Sequence, residues 1–156
     1  MLWELAQFNV ARLNAPLDHP DTAEFVANLE TINAVAESSP GFVWRLTDDS
    51  GLSSSYVAAY DDPLMIINYS IWATPADLHA FVFATEHTTF LRRRREWFQP
   101  VDEAILVCWW IPAGSRPPVA EAQRQLELLR EVGPTAEAFT LRRRFPAPLT
   151  VESPLG

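Results

Sequence analysis

Residues 85–98, TEHTTFLRRRREWF, contain the side chains of this sequence that are best suited to chemistry. His87 titrates near neutral pH, so it could act as a general base or acid, or as an axial ligand to haem iron. Among the four arginines at 92–95, Arg94 is in line with His87 if one helix runs through the segment, and it could hold a carboxylate or enolate oxygen. The alternatives are structural: a partly buried histidine bonded to a carbonyl or carboxylate, and a solvated basic helix end.

Aromatic residues surround His87. Phe83 and Phe90 fall with it on the side of the predicted helix opposite the apolar stripe, so the helix is either covered on both sides or interrupted near residue 88. Both arrangements would enclose His87. Phe83, Phe90 and Trp97 are therefore candidate ligand-binding residues, and the structural alternative for Trp97 is a place in the core.

Polar side chains also interrupt the apolar alternation of two predicted strands, residues 4–13 and 65–72. Buried polar side chains need hydrogen-bond partners, so these positions either tie the strands together or line a pocket. In a pocket, Asn68 and Arg94 would stabilise a developing enolate-type anion, and tryptophans would form the wall. The candidate binding residues of these strands and their neighbours are Gln7, Asn9, Asn68, Ser70, Trp44 and Trp72.

The composition restricts the partners. The chain has 156 residues, 48% of them apolar, which is enough for one domain with a sizeable core. The net charge of −8 argues against nucleic acid and anionic membrane surfaces. No segment approaches the roughly 20 apolar residues that span a bilayer, and the first residues are typical of a strand rather than of a signal peptide. A cytoplasmic protein is predicted.

Several common catalytic groups are missing from the sequence. All 12 basic residues are arginine, which excludes a Schiff-base lysine and the lysine of a phosphate-binding loop. The single Cys108 cannot form an internal disulfide or a multi-cysteine metal site. No cofactor is predicted on these grounds, with haem on His87 as the alternative.

The order of the predicted elements indicates the fold. These elements are strands at residues 4–13, 42–46, 65–72, 104–111 and 138–145, and helices that start near residues 20, 74 and 119. The first six alternate as β-α-β-β-α-β, which is the ferredoxin-like α+β pattern of an antiparallel sheet with two helices on one face. A third helix at 119–132 and a fifth strand follow as additions.

A homodimer is predicted from the same pattern. The strand at 104–111 is apolar on both faces, so the face of the sheet without helices would expose a large apolar patch. Two copies packed sheet against sheet would cover it. Residues 1–145 are expected to form the domain, and residues 146–156 a loose tail.

Six blocks in order resemble the bacterial domain of unknown function 3291: LAQFNVARL, PGFVWRL, NYSIWATPADLHAFVFATEH, RRREWF, CWWIPAG and GPTAEAFTLRRRF. The resemblance covers residues 5–145. It implies a dimeric α+β barrel, in a superfamily that includes antibiotic-biosynthesis monooxygenases, haem-binding chlorite-dismutase-like proteins and non-catalytic members. Trp72 before a capped helix is similar to the monooxygenase pattern, although Phe81 stands where a first histidine is usual. The stretch from Trp72 to Trp97 also resembles haem-dependent spheroidene monooxygenase relatives.

Three functions follow as hypotheses. The first is a monooxygenase-like enzyme that binds an apolar or aromatic small molecule in a cleft between helices and sheet, with His87 moving a proton. The second is a non-catalytic dimeric module that binds a small molecule or acts as a scaffold. The third is a haem protein with His87 as axial ligand.

Overall fold

The computed structural model describes residues 2–47, 58–86 and 93–149, the side chains of residues 85 and 86 excepted. In chain order these residues form β1 (Trp3–Arg12), α1 (Ala23–Glu37), β2 (Phe42–Arg45), β3 (Met65–Trp72), α2 (Pro75–Glu86), α3 (Arg94–Trp97), β4 (Leu106–Pro112) and α4 (Val119–Val132). A 3-10 turn, Pro20–Thr22, precedes α1. Within the described ranges, no helix has the length and hydropathy needed to cross a membrane.

The four strands form one antiparallel sheet in the order β2-β3-β1-β4. Since α1 connects β1 to β2 and α2 follows β3, this topology confirms the predicted ferredoxin-like α+β fold. Alternation along β1 and β3 gives the sheet two chemically different faces. The polar face carries Gln7, Asn9, Asn68, Ser70 and Trp72, and the apolar face carries Phe8, Val10, Ile67, Tyr69 and Trp109.

Helix α4 covers the apolar face. Its residues Ala122, Leu126 and Leu129 are buried against the sheet in one continuous core. The hydroxyl of Tyr69 donates a hydrogen bond of 2.7 Å to the carbonyl of Pro117, just before the helix. The prediction that this face stays open for a second copy is therefore wrong, because the C-terminal helix of the same chain occupies it.

Two apolar clusters lie on the polar face, one on either side of its polar residues. The Trp72 cluster includes Leu78 and Phe139, so it joins α2 and the C-terminal segment to the sheet. The Trp97 cluster includes Phe25, so it joins α1 and α3 to the sheet. The helices are thus anchored at both ends of the polar face, and the polar side chains lie between the anchors.

Strand β2 contains an irregularity that changes which residues share a face. Phe42 and Trp44 are predicted to lie on the same side, but the pairing with β3 shifts between them. Phe42 pairs with Trp72 on the polar face, whereas Trp44 pairs with Ile71 and contacts Tyr69 on the apolar face at 5.3 Å between ring centroids. A bulge of this kind adds one residue and reverses the alternation.

The predicted fifth strand at 138–145 is reduced to one bridge. Phe139 and Cys108 exchange two backbone hydrogen bonds of 2.8 and 2.9 Å at the free edge of β4. The ladder stops there because the chain turns at Thr140, whose side chain accepts a hydrogen bond from the amide of Arg143. The segment therefore covers the edge of the sheet through one buried phenylalanine rather than through a strand.

The start of α2 is held by a cap and by a close approach of the chain. Thr74 caps the helix: its Oγ1 accepts a 3.2 Å hydrogen bond from the amide of Asp77 and donates a 2.8 Å hydrogen bond to the carboxylate of Asp77. Gly41 lies directly against Asp77 with a φ of 80°, and a Cβ at this position would overlap the carboxylate. Only glycine fits this position without strain.

Candidate binding site on the polar face of the sheet

Three carboxamides and a hydroxyl form a hydrogen-bonded network on the polar face, here called the polar network. Gln7 Nε2 donates to Asn68 Oδ1 at 2.7 Å and to Ser70 Oγ at 2.8 Å. Asn9 Nδ2 donates to Gln7 Oε1 at 2.9 Å, and Trp72 Nε1 donates to Ser70 Oγ at 2.9 Å. The four polar positions predicted from the sequence are therefore brought together, with Gln7 at their centre.

The members of the polar network differ in exposure. Gln7 and Ser70 are 2% and 7% exposed, whereas Asn9 and Asn68 are partly exposed, although they lie in the two central strands. Ala11, next to Asn9 on the same face of β1, is partly exposed as well. Side chains in the middle of a helix-covered sheet face are normally buried, so the described helices cover these residues only incompletely. This incompletely covered part of the face is here called the gap.

Two polar atoms face this gap without a partner. Within the described residues, neither Asn9 Oδ1 nor Asn68 Nδ2 makes a hydrogen bond, while the other end of each carboxamide bonds to Gln7. A carboxamide oxygen accepts hydrogen bonds and its nitrogen donates two. The pair therefore offers one acceptor and one donor to a ligand, which suits a hydroxyl, carbonyl or amide group.

Two buried polar residues were not predicted from the sequence: Thr22, just before α1, and Asn33 on α1. The apolar residues Leu29, Ile32 and Ala36 fit an amphipathic helix by their spacing, but Asn33 is 7% exposed and Ile32 is only partly buried. Leu29 packs in the Trp97 cluster and Ala36 in the Trp72 cluster. Asn33 lies between them along the helix, at the level of the polar network. The spacing i, i+4, i+8 from Phe25 was the available signal.

Trp44 and Trp72, the two tryptophans predicted to form the wall of one pocket, lie on different sides of the sheet. Trp72 is fully buried on the polar face, where it stacks on Phe81 at 5.1 Å and bonds to Ser70. Trp44 lies on the apolar face, under the guanidinium of Arg116 at 5.6 Å. The prediction that both tryptophans shape one pocket is therefore wrong for Trp44, because of the bulge in β2.

Two further candidate aromatics lie away from the polar network. Trp97 is 3% exposed in its cluster beside Phe25, and the guanidinium of Arg93 lies 5.1 Å from its ring centroid. Phe83 is 56% exposed on α2 and stacks with His79 at 6.4 Å. Trp97 thus contributes to the core, and Phe83 lies on the outer side of its helix.

The catalytic candidates are only partly covered by the described residues. His87 and Phe90 lie outside them, so their predicted roles stay predictions. Arg94 begins α3 after Arg93, whose backbone angles place it outside the helix as its N-cap. Arg94 therefore starts a separate helix, so the described residues do not form the single continuous helix on which Arg94 would be in line with His87, and the interrupted helix is the alternative that remains.

Arg94 instead lines a cavity of about 770 Å³ at the end of the sheet. The cavity, here called the arginine pocket, lies between the last residues of β1, α3 and the segment that leads to β4. Its walls include Ala11, Phe98, Val101 and Ile105, and its charged groups are Arg94 and Arg95. Ala11 follows Asn9 on the same face of β1, roughly 6.6 Å further along the strand.

Few titratable groups lie at the polar network. Cys108 pairs with Gln7 in the β1–β4 register and is fully buried, and burial raises the pKa of its thiol to about 12. The thiol is thus neutral at physiological pH and is neither a nucleophile nor a thiolate ligand. Among the described residues, no group of three His, Cys, Asp or Glu side chains is placed to hold a metal ion.

The donor set of the polar face also bears on the haem hypothesis. The described residues there supply carboxamides, a hydroxyl, an indole and a neutral thiol, none of which is a usual axial ligand of haem iron. The described part of the site therefore does not fit haem by itself. The hypothesis depends on His87 alone.

Together, the fold and the polar network define a ferredoxin-like α+β protein with an uncharged hydrogen-bonding site between helices and sheet. A family model described as "Domain of unknown function (DUF3291)" matches residues 4–153, so the chain belongs to this family. The predicted family is thereby confirmed.

One solved structure is similar to this chain at low sequence identity. It is the crystal structure of PA3566 from Pseudomonas aeruginosa, which is similar over 74% of this chain and 98% of that chain, with 13% sequence identity and a TM-score of 0.44. No curated protein matches the chain.

Proposed function

We propose that the protein binds a small, mostly apolar molecule that carries one carbonyl or hydroxyl oxygen, in the gap above Asn9 and Asn68. The observation that carries the proposal is the unpartnered pair of polar atoms, Asn9 Oδ1 and Asn68 Nδ2, in the centre of a helix-covered sheet face. The partly exposed neighbours Ala11 and Leu106 are apolar. A ligand that matches this surface is apolar except for one oxygen.

The polar network prepares the site for such a ligand. Gln7 holds the nitrogen of Asn9 and the oxygen of Asn68, so the opposite atom of each carboxamide points away from Gln7. Ser70 and Asn68 in turn fix the amide of Gln7. Because these side chains are already ordered, binding costs little additional conformational entropy.

Matched probes test this proposal. 1-Tetralone carries a carbonyl that tetralin lacks, and both have the same ring frame. In nitrogen–proton correlation spectra, 1-tetralone should shift the side-chain amide signals of Asn68 and Gln7 and bind more tightly than tetralin. Asn68→Ala should weaken binding of 1-tetralone by about two- to tenfold, the value of one hydrogen bond.

The control is Asn28→Ala on α1, where the side chain donates a hydrogen bond to the carbonyl of Glu24 and has no other partner among the described residues. This variant should bind 1-tetralone as the unaltered protein does. Equal affinities of Asn68→Ala and Asn28→Ala, or equal affinities for 1-tetralone and tetralin, would refute the proposed site.

Monooxygenase-like catalysis at this site is the second proposal, and Asn68 supports it. Its Nδ2 is an oriented donor that could stabilise an enolate-type oxygen. A proton acceptor must then come from outside the described residues, where His87 lies. Oxygen consumption with a quinol-like substrate should be lost in His87→Ala and retained in His79→Ala, a control on the exposed side of α2.

The outcomes separate the remaining hypotheses. Ligand binding without oxygen consumption would favour the non-catalytic binding module. A Soret absorption band after addition of haem, lost in His87→Ala and retained in His79→Ala, would favour the haem protein. A protein that binds no added haem would exclude it.

Self-association and a cytoplasmic location also belong to this proposal. Since α4 covers the apolar face, a homodimer would have to use another surface than the one inferred from the sequence. Sedimentation equilibrium of the whole chain measures the assembly directly. A dimer that persists in a variant with a disrupted α4 contact, Leu126→Ala, would show that the interface does not depend on this face.

A further inference from the structure

We propose that the arginine pocket is a second binding site and that its ligand is an apolar carboxylate, such as a medium-chain fatty acid or an arylalkanoic acid. The volume of about 770 Å³ lies in the range of pockets that hold small molecules. This site shares Ala11 with the surface beside the polar network but has its own charged groups and outer wall, and the inference does not depend on the function proposed there.

The body of the ligand is specified by the apolar lining. Ala11 and Phe98 belong to the inner wall, and both pack on the Trp97 cluster. Val101 and Ile105 form the outer wall and are 44% and 43% exposed. Two aliphatic side chains exposed to this extent beside a cavity mark a surface that gains from burial by an apolar molecule.

The charge of the ligand is specified by Arg94 and Arg95. None of the described lining residues is acidic, and neither arginine makes an ion pair within the described residues. Of the carboxylates next to the lining in sequence, Glu96 pairs with Arg93 and Glu103 pairs with Arg130, and the exposed Asp102 is not among the lining residues. In a protein with a net charge of −8, this is a local positive site that suits one anionic group.

The geometry favours a carboxylate with one tight partner. Adjacent residues of a helix point about 100° apart, so the two guanidinium groups cannot both form a planar bidentate pair with one ligand group. One arginine would hold the carboxylate through two parallel hydrogen bonds, and the other would attract it electrostatically. Gln99, the uncharged polar residue of the lining, is already held in place, because it accepts a 2.7 Å hydrogen bond from Arg12 and donates a 3.0 Å hydrogen bond to the carbonyl of Leu13.

Isothermal titration calorimetry with decanoate and decanol, below the concentration at which decanoate forms micelles, tests the inference. The unaltered protein should bind decanoate more tightly than decanol. The double variant Arg94→Gln/Arg95→Gln should lose about fivefold or more of its affinity for decanoate and keep its affinity for decanol. Val101→Ser, in an exposed loop, should weaken binding of both.

The matched control is Arg142→Gln/Arg143→Gln, which removes the same charge from an exposed segment away from the pocket. It should bind decanoate as the unaltered protein does, and circular dichroism should show that both double variants are folded. The inference is overturned if decanoate does not bind, if decanol binds as tightly, or if the two double variants lose affinity equally. Retention of 1-tetralone binding in Arg94→Gln/Arg95→Gln would show that the two sites are independent.

Discussion

Asn9 and Asn68 lie directly opposite each other in β1 and β3, yet each makes its shortest hydrogen bond to Gln7 rather than to the other. Asn9 Nδ2 is 3.5 Å from Asn68 Oδ1, while the bonds to Gln7 are 2.9 and 2.7 Å. The cross-strand pair is therefore oriented by its buried neighbour. In the proposed function, Gln7 positions Asn9 and Asn68, and these two residues contact the ligand.

Gln7→Leu should consequently reduce both stability and ligand binding. Leucine keeps the volume but leaves Asn9, Asn68 and Ser70 without their central partner, which should lower the free energy of unfolding by about 1–3 kcal/mol. Urea denaturation measures this change. Asn28→Leu, on the outer part of α1, should alter the free energy of unfolding by less than about 0.5 kcal/mol. A Gln7→Leu protein with unchanged stability and unchanged affinity for 1-tetralone would contradict the positioning role.

Gly41→Ala should destabilise the protein more than the same change at Gly114. Both glycines have a positive φ, 80° and 86°, so alanine is strained at either position, at a cost of about 1–2 kcal/mol. At Gly41 the added Cβ would also meet the carboxylate of Asp77, whereas at Gly114 nothing lies within 4 Å. The difference between the two losses, measured by thermal or urea unfolding, isolates the contact between Gly41 and α2. Equal losses would show that α2 moves aside at little cost.

The parts of the fold that the sequence predicted well are those with local signals. The strand Met65–Trp72 was predicted with its observed bounds, because Asn68 and Ser70 alternate with apolar residues in an otherwise apolar run. Helix α4, Val119–Val132, was also predicted with its observed bounds, because Gly133 ends it with a φ of 76°. In both cases the information lies within a few neighbouring residues.

The wrong predictions concern features that depend on contacts between residues far apart in the sequence. The amphipathic pattern of α4 shows that one side is buried, but it does not show that the helix crosses to the apolar face of the sheet. The bulge before Trp44 leaves no mark in the alternation, so the residue was assigned to the polar face. Phe139 pairs with Cys108 although the residues after it turn away. For the candidate site, the four polar strand positions were found, while the orientation imposed by Gln7 became visible only in the structure.

Leu126→Ala tests whether α4 is an integral cover of the sheet. Leu126 is fully buried between α4 and the apolar face, so its truncation should lower the free energy of unfolding by about 2–5 kcal/mol. Leu128 lies on the same helix and is only partly buried, and Leu128→Ala should cost less. Urea denaturation of both variants gives the comparison. Similar small losses would mean that α4 is only loosely attached to the sheet.

The raised pKa of the Cys108 thiol predicts that the stability of the protein falls at alkaline pH. Burial raises the pKa of its thiol from 9.0 to about 12, since the thiolate would lose its hydration inside the protein. Below pH 9 the thiol is protonated in both states and its contribution is fully present. Between pH 9 and 12 the unfolded chain releases the proton while the folded chain retains it, so stability falls as the pH rises. Urea midpoints at pH 8 and pH 10.5 should therefore differ more for the unaltered protein than for Cys108→Ala.

Burial also raises the pKa of Tyr69, so the free energy of unfolding falls further at higher pH. Tyr69→Phe measures that part separately, so the difference that remains between this variant and Tyr69→Phe/Cys108→Ala belongs to the thiol. A thiol-specific reagent provides the independent check: at pH 8 it should label the unfolded chain quickly and the folded chain only through opening of the structure. Rapid labelling of the folded protein would mean that Cys108 is accessible. In that case the closed contact between Phe139 and β4 would not persist in solution, because that contact covers the thiol.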